Sequence, residues 1–229
     1  MRSISTILLL FFLNISFAIG QEGFNNFDAN NERHGPWKKY YEGTTQLRYE
    51  GQFDHGKEIG TFKFYCEDCK AQPMVVKEFS SNDATADVKY FTISGKLVSE
   101  GKMEGKKRIG EWLYYHKDSK EVMSRETYEN GKLEGKKLTY YPNGKITEEI
   151  SYVHGVMQGE SLYYSPDGTL LKRLRYSKDE LHGEAIYYDA YGNVSIKGYY
   201  KEGKKHGLWK HYKDGKVVLE ETYPKPDRN

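Results

Sequence analysis

The amino-acid sequence predicts an all-β fold: a single-layer, twisted antiparallel β-meander built from about eight tandem β-hairpin repeats. A small-residue marker recurs at Gly35, Gly60, Ala86, Gly110, Gly135, Gly159, Gly183 and Gly207, at spacings of 25, 26, 24, 25, 24, 24 and 24. Five residues after each marker stands an aromatic residue: Tyr40, Tyr65, Phe91, Tyr115, Tyr140, Tyr164, Tyr188 and Tyr212. A second column, 16 to 19 residues after the marker, holds Phe53, Phe79, Met103, Tyr128, Tyr152, Tyr176, Tyr200 and Tyr223, of which only Met103 is not aromatic. Two such columns do not align by chance over eight periods.

The chain begins with a different kind of segment. Arg2 is the only charged residue among the first 21, and an apolar run of 11 residues follows at positions 7–17. That run is short for a bilayer span. Ala18-Ile19-Gly20 places small residues at −3 and −1 of a cut before Gln21. Basic start, apolar middle and small-residue site make a secretory signal peptide, so residues 1–20 are expected to be cleaved and the protein to be exported, periplasmic or secreted. Residues 21–33 form an N-terminal extension, residues 34–223 the repeat array, and residues 224–229 a tail whose two prolines should not prolong a sheet.

Each unit reads as a hairpin. Leu138 and Tyr140 alternate with period two, the mark of a half-buried strand. Asn143-Gly144 then breaks that strand, as do Asp167-Gly168, Gly192-Asn193 and Asp214-Gly215 in their units. Such dipeptides supply the positive φ that tight hairpin turns need. The second strand ends in turn at Asn130-Gly131, His154-Gly155 or Glu202-Gly203. Two strands of roughly eight residues and two short turns account for the period. Successive hairpins then pair side by side, about 16 strands in all, with rings stacking across strands. One unit departs from the pattern: Cys66-Glu67-Asp68-Cys69 replaces the turn dipeptide, and residues 71–86 read as a longer, irregular loop.

Composition excludes several function classes. Without Arg2, 34 basic residues stand against 33 acidic ones, so there is no basic footprint for nucleic acid. Twenty-one tyrosines make disorder a poor reading of the low mean hydropathy, because disordered chains lack aromatics. No G-x-S-x-G, phosphate loop or H-E-x-x-H occurs, so no catalytic residues are expected.

The stretches GEWLYY (110–115), GKKLTYYPNGK (135–145), GESLYYSPDG (159–168) and HGLWKHYKDGK (206–216) resemble MORN repeats. They are most similar to the bacterial variant class, whose members often carry the label YwqK-type antitoxin. The resemblance covers about residues 34–223 and implies a β-hairpin array that makes protein or lipid contacts as a scaffold.

Three groups of residues are candidates for function. Cys66 and Cys69 are expected to form a disulfide, since an exported chain with two cysteines in one turn suits that bond. His34, His182 and His206 precede marker glycines, and His55 and His154 precede other turn glycines. No acidic column accompanies them at ligand spacing, so they read as turn residues, and no metal or cofactor is expected. Trp37, Tyr90, Trp112, Tyr114, Tyr163, Tyr187 and Trp209 lie on the face opposite the first aromatic column. They are the expected binding strip, for a protein anchor or a sugar ring. The function this favours is an exported, non-enzymatic scaffold for a protein or cell-envelope partner. A carbohydrate-binding module, an antitoxin-like binding protein and a lipid-binding repeat protein are the competing readings.

Overall fold

The structure, a computed structural model, describes residues 23–225, so the expected signal peptide lies outside the described residues. It is all β. The strands are β1 (Asn26–Phe27), β2 (Arg33–Tyr40), β3 (Leu47–Asp54), β4 (Lys57–Phe64), β5 (Val75–Phe79), β6 (Thr85–Phe91) and β7 (Leu97–Glu104). Then come β8 (Lys107–Tyr115), β9 (Val122–Glu129), β10 (Lys132–Leu133), β11 (Gly135–Tyr140), β12 (Ile146–Val153) and β13 (Val156–Tyr164). The series ends with β14 (Leu170–Ser177), β15 (Glu180–Leu181), β16 (Gly183–Tyr188), β17 (Val194–Lys201), β18 (Lys204–Lys213) and β19 (Lys216–Tyr223). β10 with β11, and β15 with β16, are single hairpin strands interrupted at Glu134 and His182.

Every pairing is antiparallel and joins strands that are neighbours in sequence, apart from β9–β11 and β14–β16, which step over the short strands. The result is a meander from β1 to β19 in one sheet. Among the described residues β19 pairs only with β18, so the sheet is open.

Two turn chemistries alternate. At one rim, two-residue turns put both central residues at positive φ, as at His55-Gly56, Asn130-Gly131, His154-Gly155 and Glu202-Gly203. That backbone matches the twist of the flanking strands, and glycine adopts it without steric cost. At the other rim most turns are longer and close on themselves, as where Tyr141 N–H donates to Lys145 O and Gly144 N–H to Tyr141 O, whereas the last, Asp214-Gly215, is again a two-residue turn.

The irregular unit differs from expectation. Residues 71–86 are not one loop: β5 occupies Val75–Phe79, and β6 starts at Thr85. The excursions are residues 65–74 and 80–84. Val75, Val76 and Phe79 are good strand formers, and β5 pairs on both sides, with β4 and β6. Residues 23–32 also do more than precede the array. β1 pairs with β2, Asn25 N–H donates to Pro36 O, and Lys38 N–H donates to the Asn25 side chain at 2.8 Å. The N-terminal edge of the sheet is thereby covered. At the other end β19 stops at Tyr223, and Pro224 and Lys225 add no strand.

A register shift falls between the fourth and fifth residues after the marker in seven of the eight units, for example Tyr114/Tyr115 and Tyr187/Tyr188. This bulge places the first aromatic column at the strand ends, on the face that also carries the ion pairs. There Tyr65 OH donates to Glu50 at 2.8 Å, Tyr164 OH donates to Glu149 at 3.2 Å, and Tyr115 OH donates to Glu100.

Candidate functional site

The other face carries the core. One row crosses the whole sheet with one residue from each hairpin strand, running Trp37, Gly51, Phe62, Lys77, Val88, Gly101, Trp112 and Glu126. It continues through Lys137, Ile150, Ser161, Leu174, Ala185, Gly198, Trp209 and Glu221. Each large apolar ring in it has a glycine neighbour. Phe62 lies over Gly51, Trp112 over Gly101 and Trp209 over Gly198, and a methyl group added to any of these glycines would stand inside the ring. Ser161 sits between Ile150 and Leu174, and Ala185 follows Leu174. A strand glycine with nothing to pack is otherwise a weakness, and here it is the seat of a ring.

Side chains of the two flanking rows close over this one. Phe62 meets Phe53 and Phe79 edge-on, with centroids 5.2 and 5.5 Å apart. Trp112 is covered by Tyr90, Tyr114 and Tyr128, and the Arg108 guanidinium lies 4.7 Å above its ring. Tyr187, Tyr200 and Tyr223 surround Trp209, with Lys205 4.3 Å above the ring. Each edge-on pair contributes about 0.5–1.5 kcal/mol beyond area burial. Both indole N–H groups are satisfied, Trp112 by Lys102 O at 3.0 Å and Trp209 by Tyr199 O at 3.2 Å.

This corrects the expected binding strip. Trp112 and Trp209 are 0% and 1% exposed, so neither ring is open to a sugar or a partner. Tyr90, Tyr114, Tyr163 and Tyr187 are half-buried around them. Trp37 is half-buried too, held by Phe27 edge-on at 5.3 Å and donating its N–H to Asn26 O. The seven residues lie on one face as expected, and that face is the packed one. Burial raises the phenol pKa of Tyr114, Tyr163 and Tyr187, in each case helped by a hydrogen bond to a neighbouring tyrosine.

In the middle of the row the rings give way to charge. Glu126 is buried, 3.3 Å from Lys137 Nζ, and accepts hydrogen bonds from Tyr128 OH at 2.6 Å and Ser124 Oγ at 3.4 Å. Around this pair the sequence of residues 133–154, which spans β10, β11 and β12, matches the family model described as MORN repeat variant. This segment is similar to a MORN repeat variant. The matched segment is one period of the array, and the same hairpin register recurs in the units on either side of it. The MORN match describes a repeat and not an activity. No curated protein matches the chain.

Cys66 and Cys69 are joined in a disulfide at the turn after β4, with Cα atoms 5.0 Å apart. Gln46 Nε2 donates to Cys66 O at 3.3 Å and to Lys70 O at 2.8 Å, so the same turn is stitched to the neighbouring hairpin.

The histidines do not form a continuous column, but two of them meet. His34 and His55 rings stand 4.7 Å apart at the N-terminal rim. His55 Nδ1 bonds to the Asp28 carboxylate, which also accepts the N–H groups of Asn30 and Glu32 at 2.8 and 2.9 Å. The backbone donor from Glu32, then the His55 ring, lower the Asp28 pKa, and the Asp28 bond raises that of His55.

Exposed apolar residues are scattered over the sheet, as at Phe27, Ile93 and Tyr191, and three in succession lie at the C-terminal edge. On β19, Val217, Val218 and Leu219 are 43%, 60% and 51% exposed. Lys216 precedes them and Glu220 follows.

Proposed function

We propose that this protein is an exported, non-enzymatic scaffold that binds a protein or cell-envelope partner by taking a β-strand along β19. One observation carries the reading: β19 offers exposed Val217, Val218 and Leu219 beside backbone groups that face no further strand among the described residues. An open edge of this kind is a template for strand addition, in which main-chain bonds give affinity and alternate side chains give selectivity. The contrast with the N-terminal edge, closed by β1, supports the asymmetry of use.

Export rests on the leader-like residues 1–20 and agrees with the Cys66–Cys69 disulfide, a bond of oxidising compartments. A glycan strip on the tryptophan face loses its support, because those rings are covered. The test is affinity capture from envelope fractions of the source cell with the mature chain and its Val218→Lys variant. A partner held by the first and lost by the second is expected. Equal capture by both, or none by either, overturns the reading.

A further inference from the structure

We infer that His34, Asp54 and His55 form a binding site for a borderline divalent transition metal such as Zn(II), with Asp28 holding His55 from behind. His34 Nδ1 lies 3.5 Å from Asp54 Oδ1, and His55 Nε2 lies 3.8 Å from the same oxygen. All three ligand atoms fall within 4.8 Å of one another. A tetrahedral zinc with bonds near 2.0–2.1 Å has ligand–ligand edges of about 3.3 Å, so a small closure of exposed side chains brings the set into range. Two imidazoles and one carboxylate leave a fourth position for water.

The contact geometry suits this use. His55 gives its Nδ1 side to Asp28, which leaves Nε2 facing Asp54 and His34. A carboxylate behind the far nitrogen of a ligating histidine fixes its orientation and raises its basicity. Asp28 is well placed for that role: its side chain is 8% exposed and pinned by two backbone donors. His34 Nδ1 also accepts a long 3.5 Å contact from the His55 backbone N–H, which a metal bound at Nδ1 would replace. Among the described residues Asp28 and Asp54 form ion pairs only with these histidines, so no lysine or arginine competes for the site.

The other units show what is particular here. The residue before the marker caps the next turn elsewhere too: Glu134 accepts His154 N–H at 2.7 Å, and Gln158 accepts Lys178 N–H at 3.1 Å. At the N-terminal rim that capping residue is a histidine, the turn residue is a second histidine, and the extension supplies Asp28.

The same comparison provides variants that keep the fold. His34→Gln copies the Gln158 cap, and His55→Asn copies Asn130, which holds the same positive-φ turn position. Calorimetric titration of the untagged protein with Zn(II), and visible absorption with Co(II), are the measurements. One saturable site is expected in the native chain and in His154→Asn. It should be lost in His34→Gln and His55→Asn, and weakened about 10- to 100-fold in Asp28→Asn. Circular dichroism confirms that each variant is folded. The inference is overturned if the native chain shows no saturable site up to millimolar metal, or if the two histidine variants bind as it does. It does not depend on the β19 reading, since capture by that edge and metal binding are separate measurements.

Discussion

At the residue scale, the central row is a size code. Wherever a bulky ring sits over the sheet, the facing strand carries glycine, and where the facing residue is Ile150 or Leu174 the next is Ser161 or Ala185. Trp209→Ala should therefore cost about 3–5 kcal/mol, the range for deleting a buried aromatic side chain. Gly198→Leu alone should cost at least about 1–3 kcal/mol through overpacking against the ring. Together they recreate the Leu174–Ala185 arrangement, so the double variant should lose clearly less than the sum. Urea unfolding of the four proteins measures the coupling, and simple additivity would show that the two positions do not read each other's size. The phenols give a second prediction. Burial, then the bond to Glu50, pushes Tyr65 to about 12, and burial with Glu100 does the same for Tyr115. A folded-state pKa above the ordinary value near 10 means stability that is complete below that pH and is lost as the pH climbs toward 12. Absorbance at 295 nm should show a late group of tyrosines titrating together with loss of the β signal. Full ionisation near pH 10 in the folded protein would contradict it.

At the scale of elements, much was legible and some was not. The markers, the turn dipeptides and the two columns sufficed to locate the hairpins, because each is fixed by a local backbone need: positive φ at His154-Gly155, alternation in residues 138–140. Which face is the core was not legible from alternation alone. A single-layer sheet has no second layer to declare its inside, and both faces of these strands carry aromatics. The bulge between residues such as Tyr114 and Tyr115 compounds the difficulty, since it shifts parity at the first column. A usable signal existed: Gly51, Gly101 and Gly198 stand two residues before the second column, and each faces a ring two residues after the next marker. Strand β5 was obscured by the polar residues after it, and the histidine cluster by distance in sequence. Asp28 and His55 are 27 residues apart, so ligand spacing within a unit could not reveal them. The two sheet edges follow the same logic: β1 closes one, whereas β19 presents its valines at the other.

At the scale of the whole molecule, an array of nearest-neighbour contacts should not unfold as one unit. Stability in such a chain is close to a sum of local and interface contributions. The ring clusters are unevenly joined: Phe79 touches both Phe62 and the group around Trp112, whereas Glu126, Lys137, Ile150 and Ser161 separate Trp112 from the group around Trp209. The chain's three tryptophans, at 37, 112 and 209, report on these regions separately. Fluorotryptophan labelling keeps all three rings in place and should give three ¹⁹F resonances. As urea is raised, the Trp209 signal should fall first, because its ring lies one strand from the exposed edge β19, while Trp112 is flanked by several strands on each side. Trp37 and Trp112 should follow more nearly together through the Phe53, Phe62 and Phe79 chain. Coincident loss of all three signals, with a slope matching exposure of the entire chain, would instead mean that the charged middle of the row transmits cooperativity as well as rings do.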